Sequence, residues 1–202
     1  MKNILFLLLV LVASSTQAAT FNVSNPAEFQ TALYTAEANG ENDIIILADG
    51  TYNITTALSF YSAENFTLTI QGSAAASCIV DGGGSVRIMV LETTSAGGNI
   101  NVSNITFQNG NHTNGGVGIN TESATADISN CIFTGSTATD FGGGLGMYTN
   151  TGSVEIDNCA FTNNTATGND AGGLFVGTNS GSITLSNSTI SNNEAQGDDA
   201  GG

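Results

Sequence analysis

Apolar residues recur along this chain in short alternating runs. Leu174 and Val176 are one residue apart, as are Ile183 and Leu185. Leu145 and Met147, then Val154 and Ile156, repeat the arrangement one period earlier; Val117 and Ile119, then Ala126 and Ile128, repeat it once more. Alternation with period two marks a strand with one buried face. A third run closes each repeat: Asn130-Cys131-Ile132-Phe133, Asn158-Cys159-Ala160-Phe161 and Asn187-Ser188-Thr189-Ile190, with Asn104-Ile105-Thr106-Phe107 before them. Gly, Asn, Ser or Thr bound every run, as expected of strands separated by turns.

The Asn residues that open the third runs are spaced by 26, 28 and 29 residues. Gly-Gly pairs beginning at Gly115, Gly143, Gly172 and Gly201 keep step, spaced by 28, 29 and 29. Two markers drifting together at one period indicate stacked repeats. Three strands per turn, each with one apolar face, enclose a narrow core when the turns stack in parallel. The predicted fold class is therefore all-β, a right-handed parallel β-helix, the hand following from the bias of parallel crossovers.

The recurrent Asn has a physical reason. Ile156 and Cys159 must both face the core although an odd number of residues separates them. One left-handed residue makes that bend, and Asn tolerates it better than other side chains with a β-carbon. The Asn-x-Ser/Thr triplets at Asn104 and Asn187 are read as such bends rather than as glycosylation acceptors.

Three segments follow from the chain order. Residues 1–19 read as a signal peptide, with Lys2, an apolar stretch from Ile4 to Val12, and a small-residue cleavage site at Thr16-Gln17-Ala18. Residues 20–42 form an N-terminal strand and a capping helix. Asn25 is its cap, Pro26 lies in the first turn, Glu28 reaches back, and Phe29, Leu33 and Ala36 line the buried face up to Gly40. Residues 43–202 form the β-helix. The last residues, Asp198-Asp199-Ala200-Gly201-Gly202, start another coil with no polar cap after it, so the chain is expected to be truncated.

Composition narrows the function. The 202 residues carry a formal charge of −15 with only two basic residues, which excludes a phosphate-binding groove and hence nucleic acid. No segment after the leader is apolar and long enough for a transmembrane helix.

The stretch "NGENDIIILADGTYNI", followed by "LTIQG", "IVDGGG" and "NITFQNG", resembles right-handed parallel β-helix proteins of the pectate-lyase-like superfamily (the pectin lyase fold). Phe161-Thr162-Asn163-Asn164 and Gly172-Gly173-Leu174 resemble the Phe-x-x-Asn and Gly-Gly-x-hydrophobic repeats of chlamydial-type polymorphic outer membrane proteins. Only the Phe161 copy carries Phe-x-x-Asn; Phe107 and Phe133 do not. The first resemblance implies a lyase using acidic calcium ligands and basic residues, the second an adhesin or surface passenger.

Candidate chemistry is sparse. Removing a proton beside a carboxylate needs nearby positive charge, and after the leader only Arg87 carries any; in Val86-Arg87-Ile88 it reads as an outward strand residue. No carboxylate pair for glycoside hydrolysis can be picked out. Asp140, Asn169 and Asp198 align before successive Gly-Gly pairs, with Asp170 and Asp199 beside the last two, and this acidic loop column is the candidate calcium site. Cys131 and Cys159 occupy one inward position on adjacent coils, at a separation a disulfide accepts, and read as stacked buried thiols in preference to a bonded pair, while His112 stands alone in a polar loop. Phe175 points outward beside Leu174, where it could stack on a sugar. The expectation is an exported extracellular or outer-membrane protein, non-enzymatic and adhesin-like, binding carbohydrate or a host-cell surface ligand; a polysaccharide-active lyase or hydrolase is the alternative. An ice-binding array would need regular Thr-x-Thr rows, which are absent.

Overall fold

The computed structural model describes residues 18–94, 98–168 and 171–197. Nearly all of the expected leader, and the chain end on which the expected truncation rests, lie outside them. Among the described residues the strands form four parallel sheets. Sheet A has seven strands: Ala19–Val23, Asp43–Leu47, Leu68–Gln71, Ile100–Ser103, Ala126–Ser129, Val154–Asp157 and Ile183–Ser186. Sheet B follows it in each coil, with Gly50–Asn53, Cys78–Asp81, Thr106–Gln108, Ile132–Thr134, Ala160–Thr162 and Thr189–Ser191. Sheet C contains Leu58–Ser62, Met89–Thr93, Val117–Thr121, Leu145–Thr149 and Leu174–Thr178. Every strand pairs with its equivalent one coil away, which makes the fold a parallel β-solenoid.

The alternating pattern builds the core. Val154 and Ile156 are buried while Glu155 and Asp157 face solvent, and Leu145 and Met147 behave likewise. Phe107, Phe133 and Phe161 stack along the axis with centroids 5.2 and 5.0 Å apart. Identical side chains in register one coil apart can hardly avoid this column, because parallel strands lie about 4.8 Å apart.

The predicted bends are present. Asn104, Asn130, Asn158 and Asn187 have φ of 60°, 53°, 51° and 50°, each between sheet A and sheet B. Ile156 and Cys159 on either side of one bend are both buried, as the parity argument requires.

A second bend follows sheet B and leads into a short fourth strand in later coils. Sheet D consists of Asn111–Asn114, Thr137–Phe141, Thr165–Ala166 and Glu194–Ala195, and it extends the three-strand coil of the sequence reading. Asn109, Asn163 and Asn192 turn there with φ of 54°, 56° and 55°, and Gly135 takes the equivalent place at 65°. The next residue explains the Phe-x-x-Asn motif. Asn164 is fully buried, donating to the Phe133 carbonyl at 2.9 Å and accepting from the Ser136 N–H at 3.0 Å. Asn193 repeats the inward bond, to the Phe161 carbonyl at 2.9 Å.

The helix Pro26–Ala36 closes the first coil. Asn25 Oδ1 accepts from the Glu28 N–H at 3.0 Å, and Glu28 accepts from the Ser24 N–H at 2.8 Å, a reciprocal cap. Phe29, Ala32, Leu33 and Ala36 are buried against the core. The helix ends at Ala36, earlier than Gly40 suggested. Its polar side covers the sheet C edge: the Gln30 amide donates to the Ser59 carbonyl and accepts from the Ser59 N–H, both at 2.9 Å, as a neighbouring strand would. Glu37 takes the Tyr61 N–H at 3.0 Å. An exposed strand edge is thereby satisfied.

Candidate functional site

The outward positions of sheet C form two rows, fixed by register. One row reads Ser59, Val90, Gly118, Gly146, Phe175; the other reads Tyr61, Glu92, Asn120, Tyr148, Gly177. Two consecutive glycines in the first row leave a depression where side chains would otherwise stand. Arg87, just before the strand Met89–Thr93, fills part of it by lying over Gly118. The sequence reading placed Arg87 as an outward residue within a strand; it instead precedes the strand and is half-buried across the neighbouring coil.

A cleft of about 230 Å³ remains beside the guanidinium. Arg87, Phe141 and Phe175 stand on one side, and Glu92, Asn120 and Tyr148 on the other, with Gly146 as floor. Phe141 and Phe175 contact each other with centroids 5.0 Å apart and planes tilted by 40°. Phe175 is outward, as its position beside Leu174 implied. Tyr148 and Tyr61 are 43 % and 54 % exposed, unusually open for aromatics of their size.

The polar groups are only partly engaged. Arg87 Nη2 donates to the Asn114 carbonyl at 2.9 Å, while its buried Nε has no partner. Glu92 Oε1 accepts from Asn120 Nδ2 at 2.9 Å. Burial pulls the Arg87 pKa down, and Glu92 and then Tyr61 push it back up. The group stays charged, since an arginine in a protein does not give up its proton. His112, in the sheet D strand Asn111–Asn114 rather than a loop, is held below its usual pKa by burial and then by Arg87.

The acidic column is only partly within the described residues. Asp140 lies in the strand Thr137–Phe141, half-buried, rather than in a loop, and directly precedes Phe141 of the cleft. Asn169, Asp170, Asp198 and Asp199 lie outside the described residues. Among the described residues no three His, Cys, Asp or Glu side chains gather closely enough to hold a metal. Cys131 and Cys159 are buried and unbonded, the Cys131 N–H lying 3.5 Å from the Cys159 sulfur. Hydrogen bonding to the Cys159 thiol, and then burial, push the Cys131 pKa well up.

Sequence reasoning found the bends and Phe175 but not the cleft. Arg87, Glu92, Asn120, Phe141 and Phe175 are spread over four successive coils, and only the strand register gathers them. Two sequence signals pointed there: the outward glycines one period apart, and a single Arg in a strongly acidic chain.

The chain matches no family model, no curated protein and no solved structure. Among the described residues no helix is long and apolar enough to cross a membrane.

Proposed function

We propose that this chain is an exported, non-enzymatic binding protein, displayed or secreted at a cell surface in the manner of the polymorphic outer membrane passengers its repeats resemble. The observation that carries the reading is the sheet C cleft, where aromatic rings and half-engaged polar groups meet on the flat side of a rigid solenoid. Ligands bind in concave sites with a few convergent polar groups, and this is such a site in small. The leader-like residues 1–19 support export, and the charge of −15 supports an extracellular surface that repels nucleic acid and anionic lipid.

The cleft chemistry favours binding over turnover. Its lining holds one cation and one carboxylate, Arg87 and Glu92. Glycoside hydrolysis uses two carboxyl groups roughly 5 to 9.5 Å apart, and β-elimination needs a base beside further positive charge. The Arg87 guanidinium is an unsuitable base, being permanently protonated.

The test measures adhesion of the fluorescently labelled chain to epithelial cells, with and without prior enzymatic stripping of surface glycans, alongside release of reducing ends or unsaturated products from a polysaccharide panel. Saturable, strippable binding with no product is expected. Catalytic release of product would overturn the reading.

A further inference from the structure

We propose that the cleft beside Arg87 is a subsite for one neutral glycosyl ring, its hydroxyls held between Arg87 and Glu92 and its apolar face laid on Phe141 and Phe175. This rests on the binding-protein reading above and adds the ligand class.

The first argument is the cation itself. Arg87 is the one basic residue beyond the leader in a chain of net charge −15. A guanidinium offers five N–H donors. Here the protein uses one, on the Asn114 carbonyl, and leaves the buried Nε without a partner. A buried polar group without a bond is costly, and its persistence calls for an explanation. A ligand acceptor in the cleft would draw the guanidinium into a paired arrangement.

The second argument is charge sign. Glu92 stands on the opposite wall, its Oε1 engaged by Asn120. A carboxylate or phosphate ligand would meet Arg87 favourably but also Glu92 and the field of an acidic protein. A metal ion would meet Arg87. A sugar hydroxyl both donates and accepts, so adjacent hydroxyls satisfy an arginine and a glutamate together. Neutral and polyhydroxylated is the chemistry that suits both walls.

Shape supplies the third argument. Gly146 as floor leaves an outward opening, and a β-carbon there would meet nothing nearer than the Asn114 carbonyl at 3.7 Å. The volume of about 230 Å³ is below the roughly 300 Å³ at which drug-sized sites begin, which suits a single ring. Tyr61 and Tyr148 lie in one row on either side of Glu92 and Asn120, three strand spacings apart, or roughly 14 Å. Exposed aromatics along the axis would receive neighbouring rings of a chain.

Affinity electrophoresis and titration calorimetry with the purified chain test this, using xyloglucan and galactomannan as neutral probes and polygalacturonate as the acidic one, each with calcium and with chelator. The expected result is binding to a neutral probe unaffected by chelation, weakened at least tenfold in Arg87→Ala and in Gly146→Leu and several-fold in Glu92→Gln, with circular dichroism and Tm verifying that the variants fold. Preference for polygalacturonate, or dependence on calcium, would overturn the ligand class and leave the binding reading standing. Neutral binding unchanged in Arg87→Ala and Gly146→Leu would overturn the cleft as its seat. Glycan-strippable cell binding without binding to any of the three probes would overturn the inference alone, and loss of both would overturn both.

Discussion

Gly118 and Arg87 are a matched pair: a β-carbon on Gly118 would collide with the Arg87 guanidinium, so the one cation of the cleft lies there only because the residue paired with Val90 on the next coil is glycine. The collision is with the tip of a flexible side chain, not with backbone. Gly118→Ala should therefore swing Arg87 out without disturbing the coil. Loss of the bond to Asn114 costs about 1 kcal/mol, and replacing a strand glycine returns roughly 0.5 to 1 kcal/mol. Urea unfolding should show stability within about 1 kcal/mol of the parent, while binding to the neutral probe falls as in Arg87→Ala. Retained affinity would show that the position of Arg87 is unimportant.

The Asn bends make a sharper prediction than general loop tolerance would. Asn158 has φ 51° and donates from Nδ2 to Asn130 Oδ1 at 2.7 Å. Asn158→Gly keeps access to the left-handed region and loses only the side-chain bond. Asn158→Ala loses the bond and also carries a β-carbon into a conformation that costs roughly 1 to 2 kcal/mol. The Ala variant should be less stable than the Gly variant by about 1 kcal/mol in chemical denaturation. Equal stabilities would remove backbone conformation as the reason for Asn at these positions.

How much of this was legible in the sequence depends on the sign of the side chain's direction. Inward residues announce themselves, since Val154, Ile156 and Phe161 recur at one period and cannot be polar. The bends were legible for the same reason, because the parity of Ile156 and Cys159 conflicts unless the chain turns between them. Sheet D was not legible: its strands are two to five mostly small or polar residues without apolar alternation. The second Asn column was hidden behind it, because Asn109 and Asn163 are separated in period by Gly135, a different residue solving the same backbone problem. Outward residues have no burial constraint to mark them, so the cleft became visible only once register fixed which of them are neighbours.

The aromatic column should dominate core stability. Phe133 is sandwiched between Phe107 and Phe161 and is 1 % exposed, so Phe133→Ala leaves a cavity with two rings facing it. A loss of about 3 to 5 kcal/mol is expected. Equilibrium denaturation of Phe133→Ala checks this, and a loss below about 1 kcal/mol would contradict the packing of the column.

Asp81 contributes to the acid sensitivity. Burial pushes its carboxyl pKa up, but hydrogen bonds from Gln108, the Gly83 N–H and Asn109 outweigh this and leave it below the usual value. The contacts are short, with Gln108 Nε2 at 2.6 Å, the Gly83 N–H at 2.8 Å and Asn109 Nδ2 at 3.1 Å. A carboxyl held lower in the folded chain than in the unfolded one stabilises fully above the unfolded pKa of about 3.9 and loses that contribution as pH falls through the folded value. Because the group is partly solvated, the contribution is modest, about 1 kcal/mol after screening. Asp81→Asn removes the titrating charge and places an amide donor against those of Gln108 and Asn109, so it should be less stable near neutrality and flatter below about pH 4. Urea midpoints followed from about pH 6 to about pH 2 would show the parent and variant curves converging at the acid end. A constant gap between them across that range would mean that Asp81 contributes by packing alone.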